Sequence, residues 1–197
     1  MIRMMESGDA PAVTQAHIAS FPGFFLTFLG ERFLRIYYEA ICASPEGIAF
    51  VFLNKAGRPA GFVAGTANPR GFYKKLLKSR WLSFGFAALP ALAQKPAVAG
   101  RLLRAFSHPG ANPAGDEIAG LYSIGVLPEL QGTGAGKLLV QSFLEEARNR
   151  GCRTVFLTTD RDDNDAVNTF YSRLGFTIFR QYTTPENRRM NEFRIQL

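Results

Sequence analysis

Two cysteines, two histidines and a single tryptophan leave little material for several kinds of site. Cys42 and Cys152 lie far apart, without the paired spacing of a zinc site or a disulfide framework. They point to reduced thiols in a cytoplasmic protein. His17 and His108 alone do not furnish a histidine-rich metal centre, so no metal is expected. No apolar run approaches the ~18–20 residues that cross a bilayer, and the opening MIRMMESGD lacks the basic-then-apolar layout of a signal peptide. One further absence is local: between Arg70 and Gly115 there is no acidic residue.

That stretch holds eight basic residues, Lys95, Arg101 and Arg104 among them, while the rest of the chain carries 15 basic against 16 acidic. The net charge of +7 therefore comes from one segment, and a partner for that charge is to be sought there. Otherwise the composition is that of a folded domain, 47% hydrophobic and 20% charged over 197 residues, and we expect a single domain, 1–197.

Periodicity supplies the elements. Residues 2–5 suggest a strand, and Asp9 followed by Pro11 suggests a capped helix start. A helix is expected from Phe28 to Ala43, with Phe33, Ile36, Tyr37, Ala40 and Ile41 on one stripe. Strands Ile48–Leu53 and Ala60–Thr66 flank a turn-rich link and form a hairpin. Residues 68–115 interrupt the rhythm as a basic, helical insertion between two strands. Within it, a helix from Gly71 to Phe84 would align Tyr73, Leu77, Trp81 and Phe84, and a second would align Val98, Leu102 and Phe106. A strand Ile118–Val126, a helix Gly134–Arg150, a strand Thr154–Thr159, a helix Asn164–Leu174 and strands Phe176–Tyr182 and Met190–Leu197 follow. The order implies an α/β (α+β) fold with a mixed sheet.

The chemistry concentrates after the fourth strand, where Val126-Leu127-Pro128 leads into Gln131-Gly132-Thr133-Gly134-Ala135-Gly136-Lys137. A glycine-rich turn into a helix brings backbone N–H groups and the positive end of the helix dipole to one place, which suits phosphate oxygens. Two familiar phosphate loops fail. The ATP-binding pattern G-x-x-x-x-G-K-S/T needs Gly at Gln131 and Ser or Thr at Leu138, and the dinucleotide pattern G-x-G-x-x-G needs Gly at Lys137.

The stretch instead resembles the pyrophosphate loop of the GNAT superfamily of acyl-CoA N-acyltransferases: Gln or Arg, two residues, Gly, one residue, then Gly or Ala. A second block of that family, Asn-x6-Tyr-x3-Gly-Phe, is matched by Asn164, Tyr171, Gly175 and Phe176. The resemblance is sharp over 118–176 and absent over 68–115. It implies a mostly antiparallel central sheet flanked by helices, and acetyl-CoA as co-substrate. The backbone of Ile124, Gly125 and Val126 would pair with the pantetheine arm as a neighbouring strand does, Gly125 also marking a bulge. Gln131, Gly132, Thr133, Gly134, Ala135 and Gly136 would hold the pyrophosphate. Asn164 would hydrogen-bond the pantetheine, and Tyr171 would face the sulfur as general acid, while Asn168 reads as a solvated helix residue. Many relatives carry a glutamate as general base where Gly120 stands, and Glu117, Asp116, Tyr122 and His108 are all open as substitutes.

The resemblance thus implies an N-acetyltransferase acting on a primary amine of a small acceptor. The basic insertion suggests an anionic acceptor under a helical flap. Phe21 to Gly30 resembles acetyltransferases of bacterial surface-polysaccharide clusters, which suggests an amino sugar. The alternatives are a CoA-binding module without turnover and a peripheral membrane or nucleic-acid binder using the insertion. No nucleic-acid motif is present, so no nucleic acid is expected, and contact with a membrane surface is left open.

Overall fold

A computed structural model describes residues 1–94 and 117–197. The strands are β1 (Ile2–Met4), β2 (Gly47–Leu53), β3 (Pro59–Thr66), β4 (Ile118–Val126), β5 (Thr154–Asp160), β6 (Thr177–Thr183) and β7 (Arg189–Gln196). They form one sheet in the order β1-β2-β3-β4-β5-β7-β6, antiparallel throughout except for β4 beside β5. The helices are α1 (Ala10–Ser20), α2 (Phe25–Phe28), α3 (Glu31–Ala43), α4 (Phe72–Ser79), α5 (Trp81–Gln94), α6 (Ala135–Asn149) and α7 (Asp165–Arg173).

Two hydrophobic cores lie on opposite faces of the sheet. The expected apolar stripe of α6 delivers Leu139, Val140, Phe143 and Ala147 against Val63, Val155 and Leu157, with α7 adding Tyr171. On the other face α1, α3, α4 and α5 pack around Phe62, Phe33, Tyr37, Tyr38 and Phe72. Burial of side chains of this size contributes about 1.5–3 kcal/mol each, which is what fixes both layers to the sheet.

Several expectations shift in detail. Gly30, at φ +92°, separates a short α2 from α3, so the second helix begins at Glu31 rather than Phe28. Asp9 does not cap α1 with its side chain. Its carboxylate is held at 2.6 and 2.8 Å by the Arg3 guanidinium and accepts from the Glu6 N–H at 2.9 Å. The helix expected from Gly71 to Phe84 is broken at Arg80, whose guanidinium donates to Glu39 of α3 at 2.9 Å. The break separates Tyr73 and Leu77, which pack inward, from Trp81, which is 67% exposed. The helix expected around Val98, Leu102 and Phe106 lies outside the described residues. Among those described, no helix is long and apolar enough to cross a membrane.

Candidate active site

β4 pairs with β3 along its length, from Gly61↔Val126 to Thr66↔Gly120. Its parallel ladder to β5 covers only Ile118↔Thr154, Ala119↔Val155 and Gly120↔Phe156. β4 runs on to Val126 and β5 to Asp160 without further pairing to each other, so the two strands part after Gly120. Peptide groups on an unpaired strand edge are left to pair with any extended chain laid beside them. Ile124, Gly125 and Val126 lie along this opening.

A bulge stands at its mouth, though not at Gly125. The register slips where Ala64 faces Ser123 and Gly65 faces Leu121, which leaves Tyr122 as the extra residue. Gly125 is glycine for want of room. A Cβ there would lie 2.7 Å from the Ser20 hydroxyl and 2.8 Å from the Phe62 ring. The end of α1 thus sits against β4, with Ser20 donating to the Val126 carbonyl at 3.5 Å.

Beyond Val126, Pro128–Leu130 makes one 3-10 turn, and the chain reaches α6 through exposed Gln131 to Gly134. Gly132 and Gly134 take φ +76° and +88°, which side-chain-bearing residues rarely adopt, and none of the described residues stands within 4 Å of where either Cβ would be. Here glycine serves conformation and open access together. The Thr133 hydroxyl donates to the Leu130 carbonyl at 2.7 Å, which ties the turn. In-helix bonding begins with Leu138 N–H to the Gly134 carbonyl, so the N–H groups of the first turn have no carbonyl four residues behind them. Ala135 is buried at the helix start, and Gly136 faces Phe170 of α7, whose ring would be 3.4 Å from a Cβ. Between these helices lies a cleft of about 660 Å³, flanked by Lys137, Asp165, Thr169, Phe170 and Arg173.

The second motif block gathers at the end of β5. The Asn164 amide donates to the Asp160 carbonyl at 3.1 Å from the N-terminal end of α7. Asn168, expected in solvent, donates to that same carbonyl at 3.2 Å and accepts from the Thr159 hydroxyl at 2.7 Å and the buried Asn191 amide at 3.4 Å. Arg188 grips the Asp160 carboxylate at 2.6 and 2.8 Å and lies over the Phe24 ring, bringing the β6–β7 turn to the α1–α2 link. Tyr171 faces the sheet, 4% exposed, in ring contact with Phe170, Phe176 and Phe193. Burial pushes its phenol pKa up, so it is protonated at neutral pH. Phe170, not Tyr171, lines the cleft.

The other side of β4 carries a cluster that the sequence did not announce. Tyr73 of α4 stacks on Tyr122 at 4.8 Å and lies parallel to Tyr37 at 6.4 Å. Beside them His17 Nδ1 and the Tyr38 hydroxyl share a hydrogen bond of 2.6 Å, with Ser123 alongside Tyr38. His17 is 3% exposed, its Nε2 has no hydrogen-bond partner among the described residues, and burial lowers its pKa to about 4. Gly120 opens into the same cluster, where a Cβ would come within 2.9 Å of both the Tyr122 and Phe156 rings. Aromatic rings therefore fill the space in which a carboxylate would stand. Of the candidate bases, Asp116 and His108 lie outside the described residues. Glu117 is paired with Arg153 at 3.1 Å beside the closed end of the β4–β5 ladder, and Tyr122 is at the mouth of the opening. Among the described residues no three His, Cys, Asp or Glu side chains group as a metal site.

Residues 11–176 match the sequence profile of the Acetyltransferase (GNAT) family. The mycothiol acetyltransferase of Cellulomonas flavigena is 41% identical over 73 residues, 35% of this chain and 21% of that protein. That of an Arthrobacter species is 43% identical over 72 residues, 36% of this chain and 21% of that protein. The shared stretch is thus about a fifth of the length of these relatives. Among solved structures, an aminoglycoside 6'-N-acetyltransferase complexed with coenzyme A aligns over 100% of this chain and 96% of its own, at TM-score 0.62 and 13% identity. Ard1 from Thermoplasma volcanium aligns over 100% and 97%, at TM-score 0.60 and 16% identity. Both are likenesses of fold.

Proposed function

This chain belongs to the GNAT acetyltransferase family, and from that premise we propose that it transfers an acetyl group from acetyl-CoA to the primary amine of a small acceptor. The observation that carries the proposal is the parting of β4 from β5 after Gly120, aligned with the glycine turn into α6. Acetyl-CoA is extended and carries its phosphates at one end. A strand edge of free peptide groups leading to unbonded helix N–H groups matches that shape and charge. In this reading Ile124 to Val126 hold the pantetheine and Gln131 to Gly136 the pyrophosphate. Asn164 reaches the pantetheine from α7.

The reaction needs no covalent intermediate. The amine attacks the thioester carbonyl, a β4 N–H in the opening stabilises the oxyanion, and the C–S bond breaks to release CoA as a thiolate. Tyr171, kept protonated by burial, donates to that sulfur. The amine's proton passes to water beside Tyr122, whose phenol orients the nucleophile, and Tyr171 recovers its proton from water once CoA has left.

The acceptor wall is α4, which meets β4 through Tyr73 on Tyr122. Lys75 and Arg80 are engaged with Glu46 at 2.6 Å and Glu39 at 2.9 Å, so part of the insertion's charge is spent inside the fold. We therefore favour an amino sugar, whose C–H face suits aromatic rings, and place any anionic group of it at the rim. The test is an acceptor panel of amino sugars, phosphate-bearing amines, amino acids and peptides with acetyl-CoA, read by free-thiol release. Alongside it, Gly134→Asp puts a side chain at φ +88° and a negative charge against phosphate, and should abolish CoA binding in calorimetry. Unchanged affinity would overturn the site. CoA binding without thiol release for any acceptor would instead favour a non-catalytic module, to which the filled space at Gly120 already lends some support.

A further inference from the structure

α5 carries no charged residue from Trp81 to Gln94, and apolar side chains run right around it. Phe84, Ala87, Ala88 and Ala91 are buried, with Phe84 meeting Phe33 of α3 at 5.0 Å. Away from the core, Trp81, Leu82, Phe86 and Leu89 are 67, 53, 61 and 54% exposed. At about 3.6 residues per turn these four fall within less than half of the helix circumference. Isolated exposed apolar residues are ordinary, but a contiguous face of one Trp, one Phe and two Leu marks a contact surface.

The charge on the helix that precedes this face in the chain indicates what it contacts. Lys74 and Lys78 are exposed one turn apart on α4, and Lys78 stands three residues before Trp81. Among the described residues neither has an acidic partner, whereas Lys75 and Arg80 do. No acidic residue occurs from Arg70 to Gly115. A second copy on this face would bring together two acid-free segments with nothing to neutralise them. A bilayer with anionic headgroups offers both missing components, an apolar layer for the rings and negative charge for the lysines.

We propose that the outer face of α5, with Lys74 and Lys78 of α4, seats this protein on an anionic lipid surface. Trp81 lies at the first residue of the face, where an aromatic side chain suits the boundary between headgroup and hydrocarbon. The proposal does not depend on the acetyl-transfer reading: Lys74 and Lys78 share α4 with the acceptor wall, but that wall is formed by Tyr73, whereas the two lysines are exposed.

Trp81 is the only tryptophan in the chain, so its fluorescence reports this face alone. In buffer its emission should be that of a solvated indole. Vesicles of equal parts phosphatidylcholine and phosphatidylglycerol should shift it to shorter wavelength, and added salt should weaken the shift. Phosphatidylcholine vesicles alone should leave it in place. Phe86→Ser with Leu89→Ser should remove vesicle binding, and Lys74→Glu with Lys78→Glu should weaken it by about tenfold or more. All four positions are exposed, so circular dichroism should be unchanged. Three results would each overturn the proposal. One is an emission that neither vesicle moves, and another is short-wavelength emission in dilute, vesicle-free protein, meaning that the chain covers its own face. The third is a dimer in sedimentation that the Phe86→Ser, Leu89→Ser variant dissociates.

Discussion

Between the sheet and its α6–α7 layer lie Val63, Leu139, Val140, Phe143, Val155 and Leu157, aliphatic or phenyl groups no more than 2% exposed. Between the sheet and its α1, α3 and α4 layer lie His17, Tyr37, Tyr38, Tyr73 and Tyr122, each with a polar atom to place. The first face supports the parts that would hold acetyl-CoA, and those parts work mainly through backbone: a strand edge, two glycines and a helix start. The second face is where the amine would arrive, and it differs by side chains. A shared co-substrate calls for common backbone geometry, while the acceptor is distinguished by side chains that no general pattern specifies.

This contrast gives the polar face a sensitivity to acid that the apolar face should lack. His17 titrates near 4 in the folded state against about 6.5 unfolded, so between those values the unfolded chain binds more protons. Stability contributed by neutral His17 is complete above about pH 6.5 and is lost as pH falls through 4, by about 3 kcal/mol in all. Urea denaturation between pH 7 and 4 should show the loss, and His17→Gln should flatten it. An unchanged slope in that variant would erase the contrast between the faces. On the apolar face, Tyr171→Phe keeps the ring contacts with Phe176 and Phe193 and removes only the proton. Turnover should fall by about 10²-fold, with CoA affinity retained; near-normal kcat would make Tyr171 another packing residue.

Gly120 tests whether the polar face tolerates addition. Gly120→Ala should destabilise by about 1–3 kcal/mol, since the new methyl group meets the Tyr122 and Phe156 rings. Gly120→Glu should lower the thermal midpoint further without raising activity, because the carboxylate would have no room to reach the amine. The smallest effect expected is that of Tyr122→Phe. If the phenol only orients the amine, kcat should drop by about tenfold or less with its pH profile unmoved. A larger loss with an altered basic limb would make Tyr122 the base itself.

What could be read from the sequence was what local pattern determines. The apolar stripes of α6 and α7 and the glycine turn follow from residues near one another in the chain, and both helices sit where periodicity places them, while the Asn164-to-Phe176 block was legible through its resemblance to a family motif. The misses share a different origin. Arg80 breaks the expected helix through Glu39, 41 residues away. Asn168 leaves solvent for Thr159 and Asn191, and Gly120 is required by Phe156 across a parallel ladder. None of these partners lies close enough in the chain to leave a periodic trace. The tyrosine cluster was missed for the same reason, being assembled from α3, α4 and β4.

Side chains along a strand alternate between faces, and β4 breaks that alternation once. Leu121 and Ile124 join the core under α6, while Tyr122 and Ser123 both serve the opposite side. The extra residue acts as a change of parity, so that beyond it glycine, and not isoleucine, meets Ser20 and Phe62. Removing Tyr122 or Ser123 would only take out the bulge, but keeping every residue and pairing them regularly would exchange inside for outside along the rest of the strand. Ile124 would then be driven into a space that admits only a hydrogen atom, and the glycine turn would leave the sheet from the wrong face. Loops ordinarily absorb insertions and deletions, but here a single residue gained or lost beyond the bulge would reach the proposed phosphate-binding turn, which begins seven residues after Ile124. Chains descended from this one should vary freely in the length of the insertion and hardly at all in the count from Ile124 to Gln131.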